Sequence, residues 1–221
     1  IHIQNPKISL KNFDFVIIPD HDGISGSNVI NTKGAIHYLT NKEINDSKDY
    51  LLNKIEKNKD VITLVLGGPT KDYNYSNNNM LDIFSKINKR LKEYNLQLVI
   101  IPSNRTPKKT IQLAKEFFSE GCIVIDKVDK SAYLSSLALA KYIIVTCDST
   151  SMISEAALTG KPLYVAMIPP LRNDTRFEKF RNLFERLNII KKLEDKLETW
   201  NYEKLNEADR IASEIKKKIN Q

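Results

Sequence analysis

The sequence predicts an α/β protein built on a Rossmann-type, doubly wound parallel sheet, and three observations carry that prediction. After residue 60, short runs rich in Val, Ile and Leu alternate with helical patterns. These runs are nearly continuous in apolar residues, as in strands covered on both faces, whereas half-exposed strands alternate. The helical stretches between them are about 10 to 17 residues long, enough for a crossover between parallel strands.

Each element has its own local reason. The run 13–19 is an apolar strand that ends at Pro19, and 31–39 reads as a turn leading into a second short strand. Two strands bury too little surface to stand alone, so residues 1–43 are expected to be the tail of an amino-terminal Rossmann-like domain. Residues 41–47 read as a polar link and 47–58 as a helix. From there the order is strand 61–66, helix 78–94, strand 96–101, helix 107–119, strand 122–125, helix 131–140, strand 142–146, helix 151–159, strand 162–166 and helix 174–187. That series fills a second Rossmann-like domain, 44–201. A last helix, within 202–221, is expected to pack back on the first domain. The chain starts with Ile1 and carries no leader pattern, so a preceding segment is expected to be missing from it.

Composition narrows the class. With 221 residues, 41% hydrophobic and 28% charged, the chain can bury a sizeable core. No apolar run approaches the roughly 20 residues that span a bilayer. The net charge of +7 comes from 34 Lys and Arg against 27 Asp and Glu, interleaved along the sequence. The densest basic run, Lys216 to Lys218, lies near a helix end, where lysines complement the helix dipole. No aromatic-rich pattern accompanies it, so no nucleic acid is expected as a partner. The expectation is a cytoplasmic protein, with peripheral contact to an acidic membrane as an option. Cys122 and Cys147 sit in or beside strand patterns and read as buried free thiols. His2, His21 and His37 show no ligand spacing, so no metal site and no cofactor are expected.

Doubly wound domains bind ligands beyond the carboxyl ends of their strands. The loops that matter are therefore 67–78, 102–107, 127–130, 147–151 and 166–174. The segment 143–165 is the most informative: an apolar run ends in Asp148-Ser149-Thr150-Ser151, where a helix opens with Glu155 one turn in. Unpaired N–H groups, hydroxyls and the positive end of a helix dipole would gather there, a setting for phosphate, with Glu155 placed to accept ribose hydroxyls. A plain helix cap is the equal alternative. Gly67-Gly68, followed by Thr70 and Lys71, would let backbone donors approach a ligand, or would form a simple turn. Ser103 and Arg105 share a loop after the next strand, where Arg105 would bind phosphate or pair with a surface carboxylate. His21, between Asp20 and Asp22, is a candidate general base, with an exposed loop histidine as the bland reading. Asn28, Thr32 and His37 are placed near it.

The segments 13–22, 28–37, 66–71, 103–107 and 148–156, with Thr159-Gly160-Lys161-Pro162, together resemble the elongated-mitochondria fission-factor family, whose bacterial relatives are described as glycosyltransferases. The resemblance runs from about Phe13 to about Leu187. It implies a GT-B-like fold: two Rossmann-like domains facing a cleft, the second holding a nucleoside-diphosphate sugar without a metal, and most of the first absent here. On that reading Gly67, Gly68, Ser149, Thr150 and Ser151 hold the diphosphate, Arg105 neutralises it, Glu155 binds the ribose, and His21 or Asp22 deprotonates an unknown acceptor. Plant members of the family are associated with recruiting a dynamin-like fission protein, so the alternatives are a non-catalytic interaction protein and a sugar-nucleotide epimerase. Convergence of Arg105, Glu155 and Gly67-Gly68 on one cleft would favour the sugar-nucleotide reading, and that reading fails if they point apart.

Overall fold

The protein is described by a computed structural model over residues 1–118, 121–193 and 196–220. In chain order the elements are β1 (His2–Ile3), β2 (Val16–Pro19), β3 (Val29–Thr32), α1 (Asn41–Asp46), α2 (Asp49–Leu52), β4 (Asp60–Leu66), α3 (Asn77–Tyr94), β5 (Leu96–Pro102), α4 (Lys108–Phe117), β6 (Ile123–Val124), α5 (Lys130–Leu139), β7 (Ala140–Thr146), α6 (Thr150–Ala157), β8 (Leu163–Ala166), α7 (Thr175–Arg186), β9 (Ile190–Lys192) and α8 (Glu207–Ile219).

Two sheets result, both wholly parallel among the described residues. The larger has the order β6-β5-β4-β7-β8-β9. Chain order runs outward from β4 in both directions, so the strand order reverses between β4 and β7. That is the topological switch point, where crossovers leave to opposite faces and open a crevice above the strand ends. Leu66 is level with Pro102, and Val65 with Val145, so the loops after β4, β5 and β7 emerge side by side. Six of the seven β4 residues and all seven of β5 are buried, which is why these runs carry no polar alternation.

The smaller sheet has the order β1-β2-β3. Its apolar face meets α8: Ile17 and Ile30 cluster with Ile211, and Arg210 donates to the Asn31 carbonyl at 2.7 Å. After β3 the chain runs against α6, with the Ala35 N–H donating to Ser154 Oγ at 2.9 Å. Gly34 permits this approach, since a Cβ there would sit 2.6 Å from Ser154 Oγ and 2.8 Å from Leu205 Cδ2.

Several expectations change in detail. The polar link is a helix, α1, because Thr40 and Glu43 form a reciprocal capping box at its start. The helix expected over 47–58 is only the single turn of α2. The second strand lies at 29–32, earlier than expected. Helix 107–119 closes at Phe117, and its last expected residue lies outside the described residues. The final helix starts at Glu207, behind an Asn206 cap, and residue 221 of its segment lies outside the described residues. β9 carries only three residues and too weak a pattern to be read.

Candidate functional site

The switch-point crevice is organised around Asp148, whose side chain is fully buried. Its carboxylate accepts the Gly68 N–H at 3.0 Å, the Tyr75 hydroxyl at 2.5 Å and Arg105 Nη2 at 3.0 Å. Arg105 also donates to the Gly68 carbonyl at 2.8 Å. The Gly67 N–H donates to Thr146 Oγ1 at 2.8 Å. Both glycines therefore serve the packing of three loops: a Cβ at 67 would lie 2.2 Å from Asp148 Oδ2, and one at 68 would lie 2.1 Å from the Arg105 carbonyl. This corrects the expectation that Gly67 and Gly68 offer free backbone donors, because both N–H groups are already engaged within the protein. Burial beside the Asp148 charge also pushes the Tyr75 hydroxyl far above its ordinary value, so it stays a donor.

Above this hub opens the N-terminus of α6. Ser149 is the N-cap and accepts the Met152 N–H at 3.4 Å. The N–H groups and hydroxyls of Thr150 and Ser151 have no hydrogen-bonding partner among the described residues. They open into a hollow of about 160 Å³ lined by His21, Arg105, Asp148, Ser149, Thr150, Ser151, Arg176 and Phe177. Two guanidinium groups, two orphan backbone donors and the positive end of the helix dipole thus face one small volume, a combination suited to an anion.

His21 reaches this hollow from the smaller sheet. A 3₁₀ turn, Asp20–Asp22, closed by Gly23 at φ +68°, turns it inward. It is 8% exposed and meets Phe180 edge-on at 5.5 Å. Burial lowers its proton affinity, against the pull of Asp22, so the imidazole is held neutral. Its Nε2 is 3.7 Å from Asp22 Oδ1, and its buried Nδ1 has no partner. Asp22 is bonded by Arg176 Nε at 2.6 Å, which engages its carboxylate across the crevice.

Glu155 points elsewhere. Its Oε2 accepts the Tyr133 hydroxyl from α5 at 2.8 Å. Burial raises its proton affinity, partly offset by Tyr133 and by nearby His37. It does not line the hollow that holds Arg105 and Ser149 to Ser151. Arg105 and Gly68 therefore converge on Asp148, but Glu155 lies a helical turn below them, so the convergence expected of Arg105, Glu155 and Gly67-Gly68 is met only in part.

The remaining predicted residues divide in the same way. Thr70 Oγ1 accepts the N–H groups of Asp72 and Tyr73 and shapes its own turn. Lys71 is exposed and lines a neighbouring hollow of about 510 Å³ with Arg172 and Arg176. Ser103 is held to Thr106, with its N–H on Thr106 Oγ1 at 2.8 Å. Thr106 does not cap α4 but ties that loop to the Leu66 carbonyl at 2.9 Å. Asn28 holds the Leu10 and Phe13 carbonyls, Thr32 is buried in β3, and His37 lies by Glu155. Burial pushes the thiols of Cys122 and Cys147 up to about 12 and about 11. No group of three or more His, Cys, Asp or Glu side chains placed to hold a metal occurs among the described residues. No helix among them is long and apolar enough to cross a membrane.

Sequence reasoning missed Tyr75, Tyr133, Thr146 and Arg176. Tyr75 and Arg176 lie in or just after loops already marked as strand-end loops, but nothing local showed which side chains would turn into the crevice.

A parallel sheet reversing its strand order beside a hydroxyl-rich helix N-terminus, faced by a second small parallel sheet, defines a protein of GT-B-like architecture. The solved structure of UDP-GlcNAc 2-epimerase from Neisseria meningitidis bound to UDP-GlcNAc shares the fold, at a TM-score of 0.51 and 17% identity, covering 92% of this chain and 62% of that one. The chain belongs to the mitochondrial fission ELM1 family, which matches residues 1–219. It is 30% identical over 203 residues to an uncharacterised protein of Rickettsia prowazekii, covering 89% of this chain. It is 23% identical over 255 residues to the mitochondrial fission protein ELM1 of Arabidopsis thaliana, covering 99% of this chain. The chain spans 57% of the length of each of these two relatives.

Proposed function

We propose that the crevice binds a nucleoside-diphosphate sugar and that the protein transfers the sugar to an acceptor hydroxyl. The observation that carries this reading is the pair of unpartnered N–H groups, Thr150 and Ser151, at the head of α6, opening into a hollow shared with Arg105 and Arg176. The diphosphate would accept from these donors and from the two free hydroxyls, with Arg105 already oriented by Asp148. Preorganised dipoles of this kind stabilise charge that develops on a leaving diphosphate. In the step itself the acceptor oxygen bonds to the anomeric carbon. The bond from that carbon to the phosphate oxygen breaks, and its electron pair leaves with the nucleoside diphosphate. His21, held neutral by burial and lining the same hollow, would take the acceptor proton. The ligand of the similarly folded Neisseria protein makes a UDP-sugar the first donor to try.

The test is a thermal-shift panel of UDP-, GDP-, ADP- and CMP-sugars, since a native-state ligand at 100 times its Kd adds about 2.7 kcal/mol of stability. One nucleotide should raise Tm, and the double variant Thr150→Val/Ser151→Ala should weaken its binding about tenfold or more while leaving the free protein's Tm in place. No shift with any donor in the folded protein sinks the reading and favours a non-catalytic interaction protein.

A further inference from the structure

A second hollow, of about 520 Å³, adjoins His21 and is lined among others by Lys7, Asp22, Thr175, Arg176 and Lys179. His21 and Arg176 line both this hollow and the one at the head of α6, so the two share a wall. Its charge is lopsided. The single carboxylate, Asp22, is engaged by Arg176, and His21 is held neutral. Lys7 and Lys179 are exposed and have no ion pair among the described residues. The two ammonium groups therefore face the hollow without a counter-charge, next to a histidine whose buried Nδ1 also lacks a partner.

Resting on the donor reading above, we propose that this hollow is the acceptor subsite and that it takes a small hydroxyl compound bearing an oxyanion group. Lys7 and Lys179 would hold the anion, and the hydroxyl would lie towards His21 and the donor hollow. A neutral acceptor would leave both ammonium groups unanswered. An anionic one gains charge-assisted hydrogen bonds from each.

The experiment is calorimetric titration of the full chain, first with UDP, then with glycerol 3-phosphate, glycerate and glycerol in the presence of saturating UDP. UDP occupies the α6 site, so anion binding in the second stage reports the other hollow. The expected result is binding of an anionic probe but not of glycerol. Lys7→Gln and Lys179→Gln should each weaken that binding about tenfold, while UDP affinity stays within about twofold and Tm is unchanged. The stronger of glycerol 3-phosphate and glycerate identifies the anion as phosphate or carboxylate. Failure of both anions to bind, or binding that ignores both lysine variants, overturns the proposal. Absence of UDP binding overturns the donor reading instead, and the lysine dependence is then read without nucleotide: if it persists, the anion subsite stands, and if it is lost, the subsite falls too.

Discussion

Gly67 and Asp148 should be energetically coupled, because the glycine exists to admit the carboxylate. A methyl group at 67 would lie 2.2 Å and 2.5 Å from the two Asp148 oxygens, and that carboxylate is anchored by Gly68, Tyr75 and Arg105. Gly67→Ala forces a shift in a closely packed site, which costs about 1–3 kcal/mol. Asp148→Ala removes three acceptor contacts, but their costs differ. Tyr75 keeps Thr146 Oγ1 at 2.7 Å. The Arg105 side chain is 43% exposed, so water can take its head. The buried Gly68 N–H has no other partner among the described residues, and an orphaned donor costs about 1–3 kcal/mol. Removing a buried charge also recovers some desolvation, so Asp148→Ala should cost about 2–3 kcal/mol, below what a severed buried ion pair usually costs. In the double variant the new methyl group enters the space the carboxylate left. Gly67→Ala should then cost at least about 1 kcal/mol less than it does alone, a coupling well above the scatter of independent sites. Urea unfolding of the four proteins measures the cycle, and each kcal/mol corresponds to about 2–4 °C in Tm for a chain of this size. Simple additivity would refute the account of Gly67 and return it to the status of an ordinary turn residue.

The other predictions concern charge and close contact. His21 has a folded-state proton affinity below its ordinary value of 6.5, so the unfolded chain takes up more protons there; its contribution is fully present above pH 6.5 and is lost as pH falls below it. The stability advantage of the wild type over His21→Gln, measured by urea unfolding from pH 8 to 5, should shrink as pH drops, and a constant gap would contradict the burial argument. Tyr133→Phe removes the hydroxyl that Glu155 accepts and should cost about 1–2 kcal/mol at pH 7. Because burial already raises Glu155 above 4.5, and the lost bond favoured the ionised form, this cost should vanish as Glu155 protonates at low pH; a gap that widens on acidification would be the wrong sign. Gly34→Ala places a Cβ 2.6 Å from Ser154 Oγ where the chain after β3 meets α6, so it should lower stability by about 1–3 kcal/mol, and a neutral effect in Tm would show that this junction has slack.

Most of the larger sheet was legible in the sequence because its strands are buried on both faces. Residues 61–66, 96–101 and 142–146 are mainly Val, Ile and Leu, with Thr63, Gln97 and Thr146 too few to set up a polar alternation, and a nearly continuous apolar run of that length between helical patterns has few other uses. The loops at the strand ends were legible for the same reason. The short elements were not. α1 follows from the Thr40 and Glu43 box, a signal present in the sequence but masked by polar composition, and β9 is held by β8 rather than by any pattern of its own.

By itself, then, the sequence determined the periodicities and the order of the longer strands and helices, since those depend on neighbours a few residues apart. It could not say which donors remain free. Asp148 lies 80 residues from Gly68 and 43 from Arg105, yet it engages both, and Tyr133 engages Glu155 from another helix. The reversal of strand order between β4 and β7 sets the loops carrying Gly68, Arg105 and Asp148 side by side, and the placement of α5 beside α6 brings Tyr133 to Glu155. That packing decided that Gly67, Gly68 and Glu155 are held within the protein, and that Thr150, Ser151, Arg176 and His21 face the open hollow. A buried polar group must find a partner within about 3 Å, and which partner lies there is fixed by tertiary structure alone.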